Sequence, residues 1–241
     1  MELNRLSERV YYLPPEERTD RPVLGYVKGE KYSLAVDAGN SSYHVEKFYG
    51  GMTELDLRLP DFTVITHWHW DHTFGMHSVS GKTVASSLTN RILSEVQKWE
   101  WTDEAMAKRL LSGEDLEDCD RCIKLEYPDR NKIKVVRADI EFAGAMSIYL
   151  GGVHCEIREF VAPHSSDSVL VLVPEEKVVF IGDADCGDYY QNNGRYDRAR
   201  LKEMIEVLDG IRADIVVLGH DMPRAKQEVI SYLKDELDKQ D

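Results

Sequence analysis

No apolar run in the chain is long enough to cross a bilayer. The longest, such as Val169–Val173, are about five residues, where a spanning helix needs ~20. The first residues, Met1–Leu6, carry no apolar stretch of the kind found in a secretory leader, so a cytoplasmic protein without a membrane anchor is expected. Cysteine is scarce: four residues (Cys119, Cys122, Cys155, Cys186) in 241 exclude a disulfide-built framework. Basic charge is also short. Thirty Lys and Arg face 44 Asp and Glu, a net charge of −14, and no Lys/Arg cluster offers the basic face that phosphate-driven nucleic-acid binding needs. A small substrate is the expected partner, with neither nucleic acid nor membrane. No Pro/Gly/Ser linker, low-complexity stretch or strong repeat divides the chain, so a single domain over residues 1–241 is expected, with its oligomeric state, a homodimer included, left open. What remains is ordinary globular composition: 42% hydrophobic and 31% charged residues.

Patterning predicts an α/β chain. Pro22–Lys28 and Lys31–Val36 read as a hairpin around Gly29-Glu30, and Ser41–Phe48 as a helix capped by Ser41 or Ser42. Phe62–Ile65 and Lys82–Ala85 read as strands. Thr89–Val96, Asp103–Leu111 and, more weakly, Leu116–Glu126 have helical spacing. Residues from about 93 to 130 form a polar helical insertion, expected to shape a substrate pocket or an oligomer interface. Five short strands follow between Asp139 and Ile181. A helix over Asp197–Leu208, a strand over Ile215–Leu218 and a charged helix over Arg224–Leu237 complete the layered pattern.

The chemistry concentrates in Thr66–Gly75, which reads Thr-His-Trp-His-Trp-Asp-His-Thr-Phe-Gly. His67 and His69 are two apart, so in an extended segment both rings point the same way. Asp71 and His72 fall where the chain turns and can reach back to the same point. Imidazole and carboxylate are good ligands for zinc and other first-row metals. His164, Asp183 and His220 each follow a strand, where loops present ligands from a rigid scaffold. A lone histidine is most simply a surface or core residue; this cluster is not.

The cluster resembles the H-x-H-x-D-H signature of the metallo-β-lactamase superfamily, and His164, Asp183 and His220 match its remaining ligand positions in order. The resemblance runs from Pro22 to the last helix. It implies a four-layer αββα sandwich of two mixed β-sheets flanked by helices. It implies two divalent ions, zinc first with iron or manganese as alternatives. One is held by His67, His69 and His164, the other by Asp71, His72 and His220, with Asp183 between them. Asp37 matches an early aspartate that supports the site from behind its ligands. The implied activity is hydrolysis of a small ester, thioester or lactone by a metal-bound hydroxide, with Asp71 as catalytic carboxylate and a phosphodiester as a further substrate class.

Within the superfamily, Asp183 departs from the true β-lactamase branches, and His69 departs from the flavodiiron oxidoreductases, which have an acidic residue there. Acyl-homoserine lactonases carry a tyrosine three residues after the bridging aspartate, where this chain has Cys186, with Tyr189 and Tyr190 nearby. Hydroxyacylglutathione hydrolases share the ligands but extend further beyond the last histidine. The net charge speaks against the nuclease members. The alternative from another class is a mononuclear-iron persulfide dioxygenase, and a metal-binding protein without activity is a third reading.

Weaker features complete the expectation. Trp68 and Trp70 alternate with the ligands and are expected to pack into the scaffold. Trp99, Trp101, Tyr189 and Tyr190 are candidate pocket walls. Cys119 and Cys122 read as two helical thiols without a role, and Cys186 as a small buried residue close to Asp183. Asp185, Ser165 and Asp221 flank ligands and could hydrogen-bond to them. His44, His77 and His154 fit no ligand position.

Overall fold

The computed structural model describes residues 2–240; Met1 and Asp241, which the single-domain expectation also covers, lie outside it. Strands β1 (Asn4–Arg5), β2 (Val10–Leu13), β3 (Leu24–Lys28) and β4 (Ser33–Val36) form an antiparallel meander. Helix α1 (Ser42–Glu54) then crosses to β5 (Phe62–Val64), the short α2 (Trp70–Thr73) precedes β6 (Lys82–Ser86), and both strands lie parallel to β4. Helices α3 (Ser87–Val96), α4 (Asp103–Ser112) and α5 (Glu117–Glu126) follow, and β7 (Ile140–Phe142) closes this seven-stranded mixed sheet. The second sheet has six strands. It begins with β8 (Ala145–Tyr149), β9 (His154–Glu159), β10 (Val169–Val173) and β11 (Val178–Gly182), all antiparallel neighbours. Helices α6 (Tyr189–Asn192) and α7 (Arg198–Gly210) lead to β12 (Ile215–Leu218), which lies parallel to β11. The two-residue β13 (Arg224–Ala225) and α8 (Lys226–Asp238) end the described chain.

Strand β10 shows why two layers of helix are needed. Its five residues are all apolar and all buried. Val169, Val171 and Val173 point between the sheets, against Val36, Val64, Val84 and Phe180. Leu170 and Leu172 point outward, where Leu201, Met204 and Leu208 of α7 and Val229 and Leu233 of α8 cover them. Burying each such side chain is worth roughly 1.5–3 kcal/mol. On the outer face of the first sheet, Phe48 and Met52 of α1 pack on Leu24, Tyr26 and Ala35. The order of layers is therefore helix, sheet, sheet, helix, as the resemblance implied.

Three boundaries differ. Helix α1 runs past Phe48 to Glu54, through two glycines, because Met52 on the next turn is needed in the core. The N-terminal strands β1 and β2 stand where no strand was expected: the Val-Tyr-Tyr-Leu run of β2 buries both faces, so it lacks the alternation that marks a half-exposed strand. The charged helix starts at Lys226 because Arg224 and Ala225 pair with Val216 and Ile215.

Candidate metal centre

The expected ligands come from strand ends on both sheets. After β5 the chain runs through Thr66–His69 into α2, which places Asp71 and His72 on one short turn. His164 lies between β9 and β10, Asp183 directly follows β11, and His220 follows β12 by one residue. All seven candidates meet in two adjoining groups, one of His67, His69 and His164, the other of Asp71, His72, Asp183 and His220. In the first, Nδ1 of His69 lies 3.0 Å from Nε2 of His67 and 2.9 Å from Nε2 of His164. In the second, Oδ2 of Asp71 lies 3.0 Å from Nε2 of both His72 and His220. The Asp183 carboxylate spans the gap: Oδ1 is 3.3 Å from His72 and Oδ2 is 3.3 Å from His220, 3.6 Å from His164 and 3.9 Å from His67.

The outward nitrogens fix the tautomers. Asp37 accepts hydrogen bonds from the Thr66 amide (2.8 Å), the Thr66 hydroxyl (2.9 Å) and Nδ1 of His72 (2.8 Å). With its proton committed to Asp37, the Thr66 hydroxyl oxygen accepts from Nδ1 of His67 at 3.1 Å. Nδ1 of His164 donates to the Gly187 carbonyl at 3.0 Å. The inward nitrogens of His67, His72 and His164 therefore present lone pairs. Lone pairs converging at such distances are compatible only when a cation or a proton lies among them. Nε2 of His72 and Oδ1 of Asp183 are moreover buried without a hydrogen-bond partner. Tetrahedral zinc with ligand bonds of ~2.0–2.1 Å would space its donors by about 3.3 Å, close to what is seen. The residues fit divalent cations.

Burial and charge act together here. Burial holds the His67 imidazole well below its ordinary range, and burial followed by the neighbouring His164 pushes His69 down to about 3. For His72, burial pulls the same way, but the Asp71, Asp183 and Asp37 carboxylates outweigh it and raise the group. His220 is raised against burial by Asp183 and Asp71. Burial would raise the Asp71 and Asp183 carboxyls, yet His72 and His220 hold both below the usual carboxylate range. His67 and His69 thus offer neutral imidazoles, and Asp71 and Asp183 offer ionised carboxylates.

Two glycines allow this convergence. Gly182 adopts φ +54° with its Cα against Thr66, where a Cβ would meet Oγ1 at 2.5 Å. A Cβ on Gly219 would strike Oδ1 of Asp183 at 1.7 Å.

A cavity of about 450 Å³ opens over the centre. His69, Asp71, His164, Asp183 and His220 form part of its lining; Tyr189, Tyr190, Cys119 and Cys186 contribute walls. Tyr190 tilts over His69 with ring centres 5.0 Å apart and donates its hydroxyl to Sγ of Cys119. Cys119 is thus a wall residue, in contrast to the expectation of a thiol without a role; Cys122 is buried among the helices of the insertion. Trp70 packs into that same core, but Trp68 is only half-buried and lines an adjoining groove together with Trp99. Both tryptophans thus pack against the scaffold as expected, Trp70 fully and Trp68 in part. Trp101 is displaced from the expected wall: it packs on Phe74 and on Arg109. Asp221 turns away to its own Met222 amide and Arg224, and Ser165 donates to the buried Asp167. His154 pairs with exposed Glu175, and His77 bonds Ser42 and the Phe74 carbonyl.

Sequence reasoning missed Asp20. It sits in the left-handed region at φ 55°, ends the 3₁₀ turn Glu17–Thr19, and places Oδ1 3.5 Å from Nδ1 of His220. Burial and the Asp71 carboxylate push its carboxyl up to about 6. Nothing in the local sequence connects it to a histidine that enters from the other sheet.

Two mixed sheets, helices on both outer faces and a histidine–aspartate centre at the strand ends define an αββα protein with a candidate metal site. The chain matches the model of the metallo-β-lactamase superfamily over residues 24–220, and it belongs to that superfamily. In fold it is similar to a metallo-β-lactamase from Pontibacter korlensis, at 19% identity and TM-score 0.65, with 98% of each chain covered. It is similar also to the metallo-β-lactamase DIM-1, at 16% identity and TM-score 0.67, covering 100% of this chain and 99% of that one. The stereoselective inverting sec-alkylsulfatase Pisa1 from Pseudomonas sp. matches at 15% identity and TM-score 0.71, over 98% of this chain but 41% of the sulfatase. Likeness at such identities is one of fold. A comparison with curated protein sequences finds no match.

Proposed function

We propose that the protein is a hydrolase of small esters, thioesters or lactones, with a phosphodiester as the second substrate class. In this reading His67, His69 and His164 would hold one divalent cation and Asp71, His72 and His220 another, with Asp183 available to both. The observation that carries it is the position of Asp183, whose carboxylate lies within 3.3–3.9 Å of histidine nitrogens from both groups. Such ions, when bound, lower the pKa of water and stabilise negative charge on oxygen.

The chain's own residues supply the rest. Asp71 is ionised and borders the cavity, so it can orient a water molecule and accept its proton. Asp37 and Thr66 hold His72 and His67 in the tautomers that face inward. Leu116, Cys119 and the tyrosines wall the substrate from bulk water. The alternative is a persulfide dioxygenase, which holds one iron on two His and one Asp and keeps much of the same motif; metal content and oxygen uptake separate the two.

Metal analysis of protein purified without chelators tests this reading. About two equivalents of zinc or manganese are expected, and His69→Ala and Asp183→Ala should lose metal and esterase activity together while keeping a native circular dichroism spectrum. An Asp183→Ala protein that is metal-depleted yet active would reject it. One equivalent of iron with oxygen uptake on persulfides would replace it with the dioxygenase.

A further inference from the structure

We infer that Asp20 is a positioning residue for His220: it holds the ring with its proton on Nδ1 and so leaves the Nε2 lone pair to the second cation. The inference rests on the two-cation reading of the centre and adds to it a residue that is itself no ligand. Asp20 belongs to neither donor group. Its Oδ1 faces Nδ1 of His220 at 3.5 Å, while Nε2 of the same ring meets Asp71 at 3.0 Å and Asp183 at 3.3 Å.

A neutral imidazole carries one proton, and a carboxylate beside Nδ1 keeps it there, so that Nε2 can bind a cation. Three of the other histidines have such a partner: Nδ1 of His67 meets Thr66, that of His72 meets Asp37 and that of His164 meets the Gly187 carbonyl. His220 has the greater need of one. Its side chain is 31% exposed, against 8% or less for His67, Asp71, His72, His164 and Asp183, so packing leaves its ring freer than theirs. The turn that carries Asp20 is fixed on both flanks. The Thr19 carbonyl accepts from Nδ2 of buried Asn40 at 2.7 Å. Arg21 reaches Glu16 at 2.7 Å and Glu126, at the end of α5, at 2.8 Å. The Val23 amide donates to the carbonyl of Gly219, the residue before His220, at 2.7 Å, which locks the Asp20 segment directly against the histidine's own loop. These anchors hold Asp20 at φ 55°, a conformation that aspartate tolerates. Among the described residues its carboxylate takes no hydrogen bond within its own turn, so the side chain serves His220 rather than the turn.

The test withdraws Co(II) from the fully loaded protein with a chromophoric chelator, which yields two stepwise dissociation constants without any turnover. Asp20→Gly removes the carboxylate and accepts the left-handed backbone. In that variant one of the two constants should rise about tenfold and the other should hold. Asp20→Asn, which suits the same backbone and keeps an oxygen for Nδ1, should recover part of the loss. If Asp20 serves only the turn, both constants weaken together. If it contacts substrate instead, KM moves and neither constant does. Either result would overturn the inference and leave the two-cation hydrolase intact. A parent protein that takes up only one equivalent of Co(II) would reject both.

Discussion

Asp37 is the residue on which the second group of donors depends. It adopts φ 65°, a left-handed conformation that costs a non-glycine residue ~1–3 kcal/mol. The surrounding bonds hold it there: its amide donates to Val64 O at 2.8 Å, and its carboxylate accepts three further hydrogen bonds. An asparagine at this position would keep its oxygen on the Thr66 amide, which places its NH2 against His72. That would reverse the His72 tautomer and put a proton on the nitrogen facing the centre. Asp37→Asn should therefore lower metal affinity by about 10–100-fold, measured by competition with a chromophoric chelator, with little change in circular dichroism. Unchanged affinity would show that Asp37 does not set the tautomer. Asp37 was legible in the sequence through its match to the early aspartate of the superfamily. Thr66 and Asp20 were not: each acts through a contact with a histidine ring whose orientation no local pattern specifies.

At the scale of elements, the insertion is held by a buried arginine. Arg109 lies between Trp99 and Trp101, 4.6 and 4.7 Å from the ring centres, and donates to the Glu100 carbonyl at 2.8 Å. Asp115, in the α4–α5 turn, faces it at 3.9 Å. Burial pushes the Asp115 carboxyl from its ordinary 3.8 up to about 6, against the Leu116 amide and Arg109. The sign follows from linkage. The folded state holds this proton more tightly than the unfolded state, so the stability it contributes is full below pH ~4 and is lost as pH rises through about 6. Asp115→Asn can keep the bond to the Leu116 amide while removing the titration. Its melting temperature relative to the parent should rise between pH 4 and 7, as followed by calorimetry. A difference constant with pH would mean that the carboxyl is not perturbed. The helices of the insertion were readable from their spacing; the structure adds the cap at Thr102, whose hydroxyl accepts from the Ala105 amide. The arginine between two tryptophans was not, since nothing in a run of polar residues marks which one turns inward.

The whole molecule brings the centre together from both sheets. His67, His69, Asp71 and His72 follow β5 in the first sheet, while His164, Asp183 and His220 come from the second. Ions bound between them would tie the layers, so metal should stabilise the folded state by mass action. At a free zinc concentration of ~100 Kd the gain is ~2.7 kcal/mol per site. In a chain of this size that is roughly 5–10 °C in melting temperature. Scanning calorimetry with zinc and with chelator checks this, and coincident transitions would argue against a centre spanning the sheets.

By itself the sequence determined the layered α/β pattern, the cluster at His67–His72 and the loops that carry His164, Asp183 and His220. Those are short-range properties: apolar periodicity reports which faces are buried, and residue spacing reports which side chains share a direction. Tertiary structure alone decided that Asp20 stands behind His220, that Thr66 orients His67, and that Asp20, Glu117 and Asp118 gather at the cavity mouth. Each depends on how one sheet sits on the other and on how the insertion folds over the edge. Packing of residues far apart in the chain sets those positions, and no local pattern encodes them.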